Sequence, residues 1–145
     1  MTDHLHSSAL PRGTFLPKTV NGKTRVDDRL ARLAEDDAAK RACYRLVDAR
    51  DQGRCRVCGR RCDPRAVAIK DTAEHHHMVK QSQTNKHETH AVILVCRRCH
   101  DLIHVKALLK VEGDADARDA AGTLSGLILL RLNPETGVWT PEGVS

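Results

Sequence analysis

Aromatic side chains are almost missing: one Trp, one Tyr and one Phe make up 2% of 145 residues. A core cannot be built around large rings, and a domain of this size gains from a cross-link that supplements aliphatic burial. Long apolar runs are missing too. The longest, Ala91 to Val95, falls far short of the roughly 20 residues that cross a bilayer. No apolar signal segment stands near the N-terminus, so the expectation is a cytoplasmic protein without membrane contact. With no export signal, the six cysteines do not read as a disulfide framework. Four of them form two Cys-x-x-Cys units, Cys55/Cys58 and Cys96/Cys99, and this spacing favours zinc. Cys43 sits at a helical apolar position and reads as a small core residue. Cys62 reads as a bystander or a spare ligand.

What is plentiful is positive charge and histidine. The chain carries a net +5, and residues 40–65 alone hold nine Lys/Arg against three acids, a local net of +6. A solvated face is the plain explanation of such a run. Its position beside a metal motif favours a surface for phosphates, with Arg54, Arg56, Arg60, Arg61, Lys80, Arg97 and Arg98 as candidate nucleic-acid contacts.

The chain then divides into three stretches. Residues 1–24 mix Pro, Gly, Ser and His without a period and read as a flexible arm. Residues 25–112 read as the functional domain. In it, one short helix is capped at Asp27 or Asp28, and a second runs from Asp36 or Asp37 to about Ala49 with Ala39, Cys43, Leu46 and Val47 on one face. A knuckle at Cys55–Gly59 comes next, then a strand from Val67 to His75 and a polar loop from Lys80 to Glu88. A second strand, Ala91 to Val95, leads into a helix from Arg97 to about Leu109. Residues 113–145 form an extension in which Leu127 to Leu132 and Val138 to Thr140 pair as a β-hairpin across Asn133–Gly137. Trp139 reads as a packing residue.

Two thiolate pairs complete a tetrahedron around one ion, so Cys55, Cys58, Cys96 and Cys99 are the ligands of a structural zinc. The 37 residues between the pairs exceed a simple ribbon loop and must be a structured insertion. That insertion contains His75, His76 and His77. Along a strand, His75 and His77 face one side and His76 the other. His100 and His104, at i and i+4, project from one helical face and can share a metal. Five imidazoles beside a sulfur site point to a second, catalytic ion.

The run EHHHMV…VILVCRRCHDLIH resembles the HNH endonuclease family, with its zinc-bound ββα-metal (His-Me finger) motif, over about residues 40–108. The segment Leu108–Gly113 and its hairpin also resemble the stretch C-terminal to the motif in phage and bacterial members. The resemblance implies a small α+β domain of two strands and a helix around one divalent ion, with N-terminal helices and a C-terminal hairpin. It implies hydrolysis of double-stranded DNA that leaves 5′-phosphate and 3′-hydroxyl ends. His77 then matches the general base, His76 and His100 the metal ligands, and His104 a third ligand or phosphate contact. An all-imidazole set favours Mn²⁺, Ni²⁺ or Zn²⁺ over Mg²⁺. The family's middle Asn falls at Ala91 here, and the neighbouring His90 is the candidate substitute. Two alternatives remain: a non-catalytic zinc module that binds DNA, and a phage packaging accessory protein with a degenerate form of the fold.

Overall fold

The structure, a computed structural model, describes residues 19–20, 23–68, 71–78 and 87–144. The N-terminal arm up to residue 18, together with Ile69, Lys80 and most of the polar loop, lies outside them. The chain forms two compact units, residues 1–37 and 38–145. In the first, a minimal hairpin joins β1 (Thr19–Val20) to β2 (Lys23–Thr24). Helix α1 (Arg25–Asp51) starts in this unit, with Asp27 and Asp28 in its first turn and Arg50 in its last, the order its dipole favours. The sequence predicts two helices here, and the structure has one of 27 residues. No Gly or Pro interrupts Ala34–Ala38, so the aspartates that could cap a new helix sit inside a continuous one at a small cost in propensity.

The second unit carries the candidate functional residues. Cys43, Val47 and Asp51, spaced i, i+4 and i+8 on α1, are buried. Strand β3 (Ala73–His77) pairs antiparallel with β4 (Val92–Cys96), in a register running from Ala73 opposite Cys96 to His77 opposite Val92. The sequence starts this first strand at Val67, but Val67 is fully exposed. The chain turns back on itself before the strand: the Asp63 amide donates to Asp71 O and the Ala73 amide to Asp63 O, at 3.0 and 3.2 Å.

All five residues of β4 are buried, which explains its unbroken apolar run. Among the described residues its outer edge has no neighbouring strand and is capped by other groups. The Arg50 guanidinium donates to Val92 O, Asp51 accepts from the Leu94 amide, and the Arg56 amide donates to Leu94 O. The edge is thereby closed to pairing with another chain. Asp51 has no exposed side chain and accepts from both Arg50 and Arg56. A buried carboxylate needs such partners, and removing one of them costs about 3–5 kcal/mol.

Helix α2 (Arg97–His104) follows β4 directly. The sequence extends it to about Leu109. The helix instead stops at His104, where the Val105 and Lys106 amides both bond Asp101 O and Ala107 takes φ 50°. Leu109 and Val111 are buried while Lys110 and Glu112 are exposed, a period of two that belongs to a strand. Strands β5 (Leu109–Gly113), β6 (Leu127–Leu132) and β7 (Trp139–Val144) form an antiparallel sheet in that order. The predicted hairpin is thus β6–β7, with Asn133 accepting from Glu135 and Gly137 in its turn, and β5 adds a third strand. Pro141 lies on the edge strand, where a missing donor is tolerated. The core joins Val47, β4, Leu109, Val111, Leu127 and Leu129 to the cysteines. Among the described residues, no helix is long and apolar enough to cross a membrane.

Candidate metal and catalytic site

The sulfur site is built from two chain reversals. The Cys55 amide donates to Arg60 O and the Gly59 amide to Cys55 O, both at 2.8 Å, which folds Cys55–Arg60 into a knuckle. Gly59 supplies the φ of 73° that this turn requires. Opposite it, Cys96 is the N-cap of α2 and Cys99 lies in the first turn. The four sulfurs of Cys55, Cys58, Cys96 and Cys99 lie within 4.8 Å of one another. A hydrogen bond with Cys99 pulls the Cys55 thiol down to about 5, and the same contact pushes the Cys99 thiol up. Four thiols this close cannot all ionise without a cation between them, and one Zn²⁺ fits the donor set. Cys62 is buried but outside the group of four. Burial, then the nearby thiols, push it up to about 12, so it stays protonated. Cys43 is a core residue, its thiol also raised by burial.

Across β3 and α2 the imidazoles converge. His76 faces α2, where His100 and His104 stand one helical turn apart, and the ring nitrogens of the three lie within 4.8 Å of one another. His76 Nδ1 and His104 Nε2 are 3.0 Å apart. Burial, reinforced by His104, His100 and His77, lowers His76 to about 4. Burial and His104 lower His100 as well. Both rings are therefore neutral near pH 7, with lone pairs available to a divalent ion.

His75 and His77 face the other way. His75 Nε2 lies 2.6 Å from Asp48 Oδ1, and its ring stacks on Tyr44 with centroids 3.8 Å apart. His77 has Tyr44 at 5.9 Å and His87 at 5.8 Å, both tilted or edge-on. Thus His75 is engaged as a brace, while His77 stands between two rings. Tyr44, Asp48 and His87 are site residues that the sequence reading did not single out. Tyr44 and Asp48 share an i, i+4 spacing on α1 that could have signalled them. His87 lies in a loop without any periodicity and gave no signal.

His90 is exposed and pairs with the Glu88 carboxylate at 3.2 Å. Ala91 closes a single 3-10 turn, Thr89–Ala91, and its carbonyl accepts from the Met78 amide at 2.8 Å.

The candidate phosphate contacts divide. Arg54, Arg60, Arg61 and Arg98 are exposed. Arg97 is half exposed and pairs with Glu74 and Asp101. Arg56 needs correction: its guanidinium points inward, bonding Asp51 Oδ1 at 2.9 Å and Ala115 O at 3.1 Å, because the buried carboxylate requires a cation. It serves the fold and is not a surface contact. Lys80 lies outside the described residues. If this face contacts nucleic-acid phosphates, reversing Arg54, Arg60 and Arg61 to Glu weakens binding on every sequence alike and flattens its salt dependence by about three phosphate contacts. Filter-binding or anisotropy titrations across salt concentrations check this, and an unchanged slope would contradict it.

Compared with known protein families, residues 55–106, the stretch that holds the sulfur site and the imidazole cluster, match the model of the HNH endonuclease family. Neither curated proteins nor solved structures gave a match.

Proposed function

We propose, from the HNH endonuclease domain at residues 55–106, that this protein is a metal-dependent endonuclease that hydrolyses phosphodiester bonds of double-stranded DNA. One observation carries the reading. Three imidazoles converge on one face of β3 while His77, a neighbour in sequence, faces the other side, all beside a four-sulfur cluster. A structural zinc alone would not need the second set.

His76, His100 and His104 would hold one divalent ion, Mn²⁺, Ni²⁺ or Zn²⁺ being better suited to imidazoles than Mg²⁺. When bound, the ion draws charge from the scissile phosphate and the leaving oxygen. His77 acts as the general base, a ring nitrogen taking a proton from the attacking water. Tyr44 and His87 restrict the orientations of the His77 ring. The four cysteines would hold a structural zinc and so join the knuckle to the start of α2, with His100 one residue after Cys99. Exposed Arg54, Arg60, Arg61 and Arg98 contact backbone phosphates and orient the duplex.

Attack by water on phosphorus with departure of the 3′ oxygen leaves a 5′-phosphate and a 3′-hydroxyl. Fragments from a cleaved plasmid are therefore expected to rejoin with DNA ligase without prior enzymatic repair. Fragments that rejoin only after a phosphatase and kinase treatment would overturn the assigned direction of cleavage.

A further inference from the structure

Arg50 is a heavily committed side chain of the second unit, and none of the chemistry above uses it. All five of its N–H donors are occupied. Nη1 donates to Thr89 O and to Asp116 Oδ1, both at 2.7 Å. Nη2 donates to Val92 O at 2.7 Å and to Asp51 Oδ2 at 2.9 Å, and Nε donates to Asp51 Oδ1 at 2.7 Å. Asp116 is itself tied to the turn, accepting from the Thr89 hydroxyl at 2.6 Å. The guanidinium thus grips backbone carbonyls on both sides of Ala91, whose own side chain offers no donor or acceptor.

That turn lies opposite the end of β3. Val92 is the register partner of His77, and the Met78 amide donates to Ala91 O at 2.8 Å. Any slack in Thr89–Val92 passes directly into the backbone that carries His77. His90, beside Ala91, directs its ring to Glu88 and not across the turn.

We infer that Arg50, held by Asp51 and Asp116, is a positioning residue that clamps the Thr89–Val92 turn and through it sets the backbone of His77. Its catalytic consequence rests on the nuclease reading above. The clamp itself is a statement about backbone order and can be tested separately. A planar five-donor fork is needed, because a lysine ammonium has three donors at one point and cannot span two carbonyls and two carboxylates.

The experiment compares Arg50→Lys and Asp116→Asn with the wild-type chain in single-turnover cleavage, DNA affinity, zinc content and amide hydrogen exchange. In Arg50→Lys the saturating cleavage rate is expected to fall roughly 10- to 100-fold, the range a small misplacement of a reacting group produces. DNA affinity and zinc content stay at the wild-type level. The Met78 amide exchanges faster, while amides of β5 and β6 keep their protection. Asp116→Asn, which keeps Arg50 and weakens one anchor, gives a smaller change in the same direction. If Arg50→Lys does not fold, Asp116→Asn decides. Wild-type cleavage rates with an unaltered Met78 amide would overturn the clamp. So would a uniform loss of protection across the unit, since that marks a general brace and not a positioning contact. If the wild-type chain cuts no DNA, the nuclease reading fails by itself, and exchange at Met78 still decides for or against the clamp.

Discussion

Replacing His77 with alanine is expected to lower single-turnover cleavage by roughly 10²- to 10⁴-fold, the contribution typical of a positioned general base. Zinc content and DNA affinity are expected to stay unchanged. The geometry gives the reason. His77 lies on the face of β3 away from His76, so its loss opens neither metal cluster. His76→Ala and His100→Ala should also abolish cutting, but by a different route, because each removes one of three converging donors. Their activity should return in part as the divalent ion is raised, whereas that of His77→Ala should not. His75→Ala makes the contrast sharper. Its ring is held by Asp48 and Tyr44, so its loss loosens the wall beside His77 without removing the base. If His77→Ala cuts at the wild-type rate, the base is misassigned, and His87 or His75 takes its place as candidate.

The second large effect concerns stability. Cys55→Ser or Cys99→Ser is expected to remove zinc and unfold the second unit. A structural zinc contributes on the order of 10 kcal/mol to folding in small motifs, which is comparable to the entire stability of an ordinary domain. The dependence should be acute here. Among the described residues one of Tyr and Trp, Tyr44, packs beside the core, and four of the core's buried members are cysteines of the sulfur pair sites or their neighbour Cys62. Metal analysis and a thermal melt of each variant beside the wild type check this. Freshly purified, folded wild-type protein without zinc would rule out the structural role.

Much of the site is legible in the sequence because the decisive signals are local. Cys-x-x-Cys fixes two sulfurs on one turn, and His-x-x-x-His fixes two imidazoles on one helical face, whatever surrounds them. The alternation of a strand separates His76 from His75 and His77 without reference to tertiary structure. The antiparallel partner of that strand is equally plain, since Val92–Val95 is buried on both faces and apolar throughout. Element boundaries are less legible. The helix expected to reach Leu109 ends at His104 because Leu109 and Val111 are needed by β6, a partner some 20 residues further along the chain. The aspartates at 36 and 37 suggest a cap, but a cap residue does not stop a helix that no Gly or Pro interrupts. Arg56 shows the limit most clearly. In sequence it is one of nine basic residues in a charged stretch. In the fold it faces Asp51, which α1 carries into the core, and no local pattern distinguishes it from exposed Arg54 or Arg60. Tyr44, Asp48, His87 and the Arg50 clamp depend likewise on contacts between distant segments.

The most direct measurement is plasmid cleavage by a single preparation already shown to be folded, zinc-loaded and bound to DNA. That preparation is incubated with supercoiled plasmid and Mn²⁺, Ni²⁺ or Mg²⁺, alongside a control in which a chelator is present at a level that spares the zinc. Nicked or linear DNA with at least one added ion, none with the chelator and none with His77→Ala is the predicted result. Plasmid left intact with every ion, while binding and zinc content are normal, would contradict the account.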